Sequence, residues 1–247
     1  MSSVNVRYQF LEAVTWRYAY LCDFTIGTHS DIWRINISDN LSYLDHFSTL
    51  LNSRETDRAN RYLQARDKIR FIISRAALRI ILAWYLKQQP SSLEFEMGDN
   101  KKPFLKNACL QYNISHSGDW IAIAVSGSAV GVDVEWCNPL FDYKDIISEY
   151  FSDDEVKYIN ADEARSRFFL LWTRKEALTK ATSKGLDDDL KHIPALNGEH
   201  AVAVGLLKSS FNWQVSSFEL FDGYLGAIAL TEQVKNIRFW DFDSANK

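Results

Sequence analysis

Cysteine is scarce in this chain, and its placing excludes two kinds of architecture. The three cysteines, Cys22, Cys109 and Cys137, are odd in number, widely separated and without a C-x-x-C spacing. They offer neither a disulfide framework nor a structural zinc site. No apolar run approaches the roughly 20 residues needed to span a bilayer, so no membrane partner is expected. Glu12, Arg17 and Asp23 interrupt the apolar start of the chain, which lacks a clean signal-peptide core. A reducing, soluble, cytoplasmic setting is the expectation. A basic excess is missing too, since 28 Lys and Arg face 32 Asp and Glu for a net charge of −4. That balance gives no drive toward nucleic acid, and any basic site has to be local.

What the chain does have is apolar and aromatic material. Its 247 residues are 47% hydrophobic and 14% aromatic, enough for one large domain or two small ones with proper cores. Residues 1–30 form an N-terminal extension whose aromatic residues read as a flap or short helix. Residues 31–37 alternate as a strand. A helical pattern runs from about Glu55 to Lys87 and is ended by Pro90. Between Arg54 and Arg79 eight basic residues stand against three acidic ones, which as a group suits a polyanionic ligand. Asp99 to Phe104 reads as a turn. Tyr112–Ser117, Trp120–Ser126 and Ala129–Trp136 read as a three-stranded antiparallel meander. Ser152-Asp153-Asp154-Glu155 has the form of a capping box, and a longer helix spans about 162–182, stopped by Gly185. Three further strands follow, at 213–221, 224–230 and 236–242, with a hairpin turn at Asp222-Gly223. The expected fold is α+β. Two similar α/β halves (31–127 and 128–247), each a small, mostly antiparallel sheet packed on a long helix, would lie in a pseudo-twofold arrangement. The cleft between them is the default place for a ligand.

Two short patterns carry chemistry. In Gly131-Val132-Asp133-Val134-Glu135 the valines alternate with the carboxylates, so Asp133 and Glu135 share one strand face about 6.6 Å apart. On the later helix Glu176 and Lys180 stand at i and i+4 and project from one side. Alone, the first is an ordinary strand edge and the second a surface salt bridge.

Together they match a family. The order G-[IV]-D-x-E, then W-x-x-K-E-[AS]-x-x-K, is met by Gly131, Asp133, Glu135, Trp172, Lys175, Glu176 and Lys180. N-[IL]-S-H-S is met by Asn113–Ser117, and G-K-P occurs in altered form as Lys101-Lys102-Pro103. Over residues 31–240 the chain resembles the Sfp-type 4′-phosphopantetheinyl transferases. The resemblance implies Mg²⁺-dependent transfer of phosphopantetheine from coenzyme A to a serine of an apo carrier protein (acyl, polyketide or nonribosomal peptide). Adenosine 3′,5′-bisphosphate would be released by an enzyme expected to be a monomer. It assigns Mg²⁺, or Mn²⁺ in its place, to Asp133, Glu135 and Glu176. Glu176, Lys180 and Asp133 become the catalytic group, with Glu176 as general base and Lys180 on the bridging or leaving phosphate. Ser115 and His116 inherit the nucleotide phosphates. Lys102 and the basic helix would take the 3′-phosphate, Arg66 first, with Arg58 and Arg70 behind it. The chain departs from the family pattern at Lys101 and in the acidic run 187–189.

The metal also follows from charge. One like-charge pair at about 4 Å and an effective dielectric of 20 costs about 4 kcal/mol, so bare carboxylates would repel a diphosphate. A Mg²⁺-dependent phosphodiesterase acting on coenzyme A or a related nucleotide would use the same carboxylates. A serine hydrolase built on Ser115 and His116 fits poorly, because strand neighbours point to opposite faces. A nucleic-acid-binding arm conflicts with the overall acidity.

Overall fold

The computed structural model describes residues 2–98, 102–185 and 188–243. In chain order come β1 (Ser3–Phe10), β2 (Trp16–Tyr18), β3 (His29–Asn36), α1 (Leu44–Thr49), α2 (Ser53–Asn60) and α3 (Ala65–Leu86). Then follow β4 (Phe95–Met97), β5 (Pro103–Leu105), β6 (Gln111–Ser117), β7 (Trp120–Ser126) and β8 (Val130–Trp136). The rest is α4 (Lys144–Tyr150), α5 (Asp153–Ala161), α6 (Ala164–Thr182), β9 (Gly198–Ala203), α7 (Val204–Leu207), β10 (Trp213–Phe221), β11 (Tyr224–Thr231) and β12 (Asn236–Asp241). No helix among the described residues is long and apolar enough to cross a membrane.

The fold is α+β, built on two five-stranded sheets ordered β8-β11-β10-β1-β9 and β2-β12-β3-β7-β6. From β8 the successive pairings are antiparallel, antiparallel, parallel; from β6 they are the same. The two sheets thus share a four-strand topology and differ at the fifth strand, where β9 is antiparallel and β2 parallel. The β8–β9 sheet is mostly antiparallel, as expected, with one parallel pairing, between β10 and β1; the β2–β6 sheet is evenly mixed, because β12 runs parallel to both of its neighbours.

Strand alternation produces the layering. Trp33, Ile35, Ile121 and Ile123 face α3 and pack with Ile73, Ala77 and Ile81. The alternate residues Ile32, Ala122 and Ala124 face the other sheet, meeting Val130, Val132, Val134 and Ile228. On the far side α6 lays Ala177 and Leu178 over Val6, Val215, Ala227 and Ala229. The order is helix, sheet, sheet, helix.

Four expectations need correction. Residues 2–30 are no flap: β1 pairs with β9 and β10, and β2 pairs with β12. The meander stops after two strands, because β8 pairs with β11 of the other sheet. A tight hairpin at Gly127-Ser128 needs a positive φ, which neither residue adopts, whereas Gly223, at φ 72°, closes the β10–β11 hairpin. The expected helix over 55–87 is two helices. Asn52 and Glu55 form a capping box that starts α2, and α6 ends at Ser183 in a left-handed turn rather than at Gly185.

Glu55 explains the break, since it folds α2 back onto α3. Its carboxylate accepts Arg75 Nε at 2.7 Å and Arg79 Nε at 2.8 Å. Arg79, fully buried, also donates to the carbonyls of Pro90 and Leu93. Burial pushes the Glu55 carboxyl up, but Arg75, the cap and Arg79 outweigh it and hold it below the usual value. Its stabilisation is present above the ordinary glutamate pKa and is lost as pH falls through the lower folded value. Glu55→Gln strands a buried guanidinium and should cost about 3 kcal/mol at neutral pH. Urea titrations at pH 7 and pH 3 should show the gap from wild type narrowing in acid.

Candidate active site

Gly131 sits where α6 crosses β8. A Cβ there would lie 2.1 Å from the Ala177 carbonyl oxygen and 2.4 Å from the Ala181 amide nitrogen. Only glycine permits this approach, and the approach lowers one face of α6 onto the strand. Trp172, Glu176 and Lys180, spaced by four residues, all line the resulting cavity.

Asp133 and Glu135 emerge from β8 on that side. Asp133 is 2% exposed; its Oδ1 accepts Lys180 Nζ at 2.6 Å and Ser115 Oγ at 2.8 Å. Lys180 Nζ also lies 3.9 Å from Glu176 and donates to Ser115 at 3.2 Å. Glu135 Oε2 accepts Ser117 Oγ at 2.8 Å. Burial and then the charge of Asp133 push both Glu135 and Glu176 up to about 7. Burial pulls Lys180 down, but Asp133 and Glu176 outweigh it and the ammonium is held above its usual value.

The cavity has a volume of about 430 Å³ and is closed on its other side by Arg58, Arg70, Phe71 and Ser74 of the basic helices and by Tyr62 from the turn between them. Ser115 and His116 line it as well. Burial and the neighbouring Arg70 hold His116 below its ordinary pKa. Arg70 pairs with Asp67 at 2.7 Å, and Arg58 lies 5.0 Å over the Phe71 ring. A second lobe of about 250 Å³ shares Pro103, Ile114, Glu176 and Lys180 with it and continues toward Thr179 and Ser183.

Two expected phosphate contacts are placed elsewhere. Arg66 is exposed, one turn nearer the helix start than Arg70, and does not line the cavity. Lys102 turns its ammonium onto the carbonyls of Val130, at 3.0 Å, and Lys180, at 2.7 Å. Burial pushes it down to about 8, and it fastens β8 to the end of α6. Lys175, though part of the matched pattern, points away from the cavity. It is buried against Glu155 at 2.9 Å and the carbonyls of Leu190 and Ile193, because one residue along a helix turns the side chain by about 100°. In the acidic run, Asp189 pairs with Lys184 at 3.2 Å; Lys101 and Asp187 lie outside the described residues.

Some lining residues escaped the sequence reading. Ser74 is buried, and its Oγ has no hydrogen-bond partner among the described residues. Its position at i+4 from Arg70 was the available signal. Tyr62 and Phe71 carried none.

Among the described residues no group of three or more His, Cys, Asp or Glu is arranged as a ready metal site. Lys180 holds Asp133 Oδ1 instead. The donors nonetheless fit a hard cation: Asp133 Oδ2 is buried with no hydrogen-bond partner among the described residues, and two carboxylates pushed up to about 7 adjoin it.

Comparison with known proteins completes the picture. The model of the 4′-phosphopantetheinyl transferase superfamily matches residues 129–229, and that of the 4′-phosphopantetheinyl transferase N-terminal region matches 32–128. The slr0495 protein of Synechocystis sp., which carries this family's name, is 32% identical over 78% of each chain. The chain belongs to the 4′-phosphopantetheinyl transferase superfamily. HetI of Nostoc sp., a 4′-phosphopantetheinyl transferase, is 32% identical over 63% of this chain and 69% of its own. Sfp of Bacillus subtilis, another, is 24% identical over 74% and 84%. The superfamily match to 129–229 includes β8 and α6, and with them Asp133, Glu135, Glu176 and Lys180 of this transferase's cavity.

Proposed function

We propose that this transferase moves 4′-phosphopantetheine from coenzyme A to a serine of an apo carrier protein and releases adenosine 3′,5′-bisphosphate. One observation carries the reading: Asp133 and Glu135 from β8 meet Glu176 and Lys180 from α6 across one cavity from Arg58 and Arg70. Acid groups for a cation and basic groups for phosphates thus share about 430 Å³.

Asp133, Glu135 and Glu176 would hold Mg²⁺ or Mn²⁺, which when bound neutralises diphosphate oxygens and polarises phosphorus. Glu176, on the α6 side of the cavity, takes the proton of the attacking serine hydroxyl. The serine oxygen bonds to the β-phosphorus as the phosphoanhydride bond to the nucleotide breaks. Lys180 faces the departing charge. Arg58, Arg70 and the unspent Ser74 hydroxyl serve the 3′-phosphate, and Ser115 and His116 the remaining nucleotide phosphates.

The test is to incubate the purified protein with coenzyme A, Mg²⁺ and several apo carrier domains, then weigh the carriers. A gain of one phosphopantetheine is expected. Hydrolysis of coenzyme A at equal rate without any carrier would make the protein a phosphodiesterase instead.

A further inference from the structure

β6 and β8 are edge strands of different sheets, yet they lie side by side along the seam between them. No backbone ladder joins them among the described residues. Side chains do the joining. Asn113 Oδ1 accepts the Val132 amide at 2.9 Å. Ser115 Oγ donates to Asp133 at 2.8 Å. Ser117 Oγ donates to Glu135 Oε2 at 2.8 Å and accepts the Trp136 amide at 3.0 Å.

Residues 113, 115 and 117 alternate along β6 and so address one side of it. Their partners climb β8 in the same direction, so the strip works as a parallel ladder made of short polar side chains. It satisfies edge amides that would otherwise seek another strand. It also fixes, at two points, the carboxylates that face α6. Ser117 is the informative member. Unlike Ser115 it does not line the cavity, so it touches Glu135 without reaching a ligand.

We propose that Asn113, Ser115 and Ser117 form a positioning strip for the strand carboxylates, with Ser117 fixing the Glu135 carboxylate and Asn113 the register of β8. The inference rests on the reading above, in which those carboxylates serve a divalent cation. Ordered donors of this kind typically govern metal affinity by 10- to 100-fold.

The experiment is a Mn²⁺ titration followed by electron paramagnetic resonance, with coenzyme A present and no carrier, so that nothing turns over. Ser117→Ala should bind Mn²⁺ about tenfold more weakly, and Ser117→Thr should restore the wild-type affinity. Ser117→Cys, similar in shape but a weak donor, should fall between them. In carrier labelling, the Mg²⁺ needed for half-maximal rate should rise by the same factor while KM for coenzyme A at saturating Mg²⁺ stays put. Wild-type protein that binds Mn²⁺, with Ser117→Ala binding it equally well, overturns the strip alone. So does a labelling loss that is the same at all Mg²⁺ concentrations and is not rescued by threonine. Wild-type protein that binds no Mn²⁺ overturns the cation reading and the strip with it.

Discussion

Gly131→Ala should give a protein in which α6 no longer rests on β8 and transfer activity is lost. The added methyl meets the helix backbone at 2.1 Å and 2.4 Å, and backbone cannot rotate aside as a side chain can. Overpacking of this kind costs about 1–3 kcal/mol and sometimes more. Here the strain is relieved by lifting the helix, which carries Glu176 and Lys180 away from Asp133 and Glu135. Thermal unfolding would register a moderate loss of stability. Labelling of a carrier, measured well below the melting temperature, should fall by far more than the lost folded fraction explains. Comparable labelling by Gly131→Ala and wild type would show that the close approach is dispensable.

Asp133→Asn should separate chemistry from folding. The amide keeps the shape, and its oxygen can still accept Lys180 and Ser115, so the fold survives. What disappears is the negative charge at the most buried of the clustered carboxylates. Removing one such electrostatic group from a desolvated site costs about 10²–10³ in rate, and transfer should drop by about 10³-fold with little change in melting temperature. Glu135 and Glu176 owe part of their raised pKa to Asp133, so both should titrate closer to ordinary glutamates in the variant, measurable by carboxyl-carbon NMR. Near-wild-type transfer by Asp133→Asn would remove Asp133 from the catalytic group.

Much of this site was legible because it depends on local periods. Val132 and Val134 alternate with Asp133 and Glu135 whatever the strand pairs with, and Glu176 and Lys180 share a helix face wherever the helix lies. The α+β class followed from the same periodicities. What resisted reading was long-range. Nothing near Val130 says that β8 pairs with residues 224–230 instead of turning back on β7. The choice between Arg66 and Arg70 depends on which turn of α3 reaches the cavity, which packing against the sheet decides. Lys102, expected on the 3′-phosphate, and Lys175, expected only as part of the matched pattern, are each drawn to backbone carbonyl oxygens of neighbouring elements. The role of Asn113 and Ser117 needed both strands in view.

The exchange of end strands has a bearing on how this protein can be divided. β1 lies between β10 and β9, and β12 lies between β2 and β3, so each terminus is clasped inside the opposite lobe. A gene severed after residue 127 would yield two fragments, each short of an interior strand held by its counterpart. The lobes are therefore not detachable modules: each completes its sheet only with a strand from the far end of the chain.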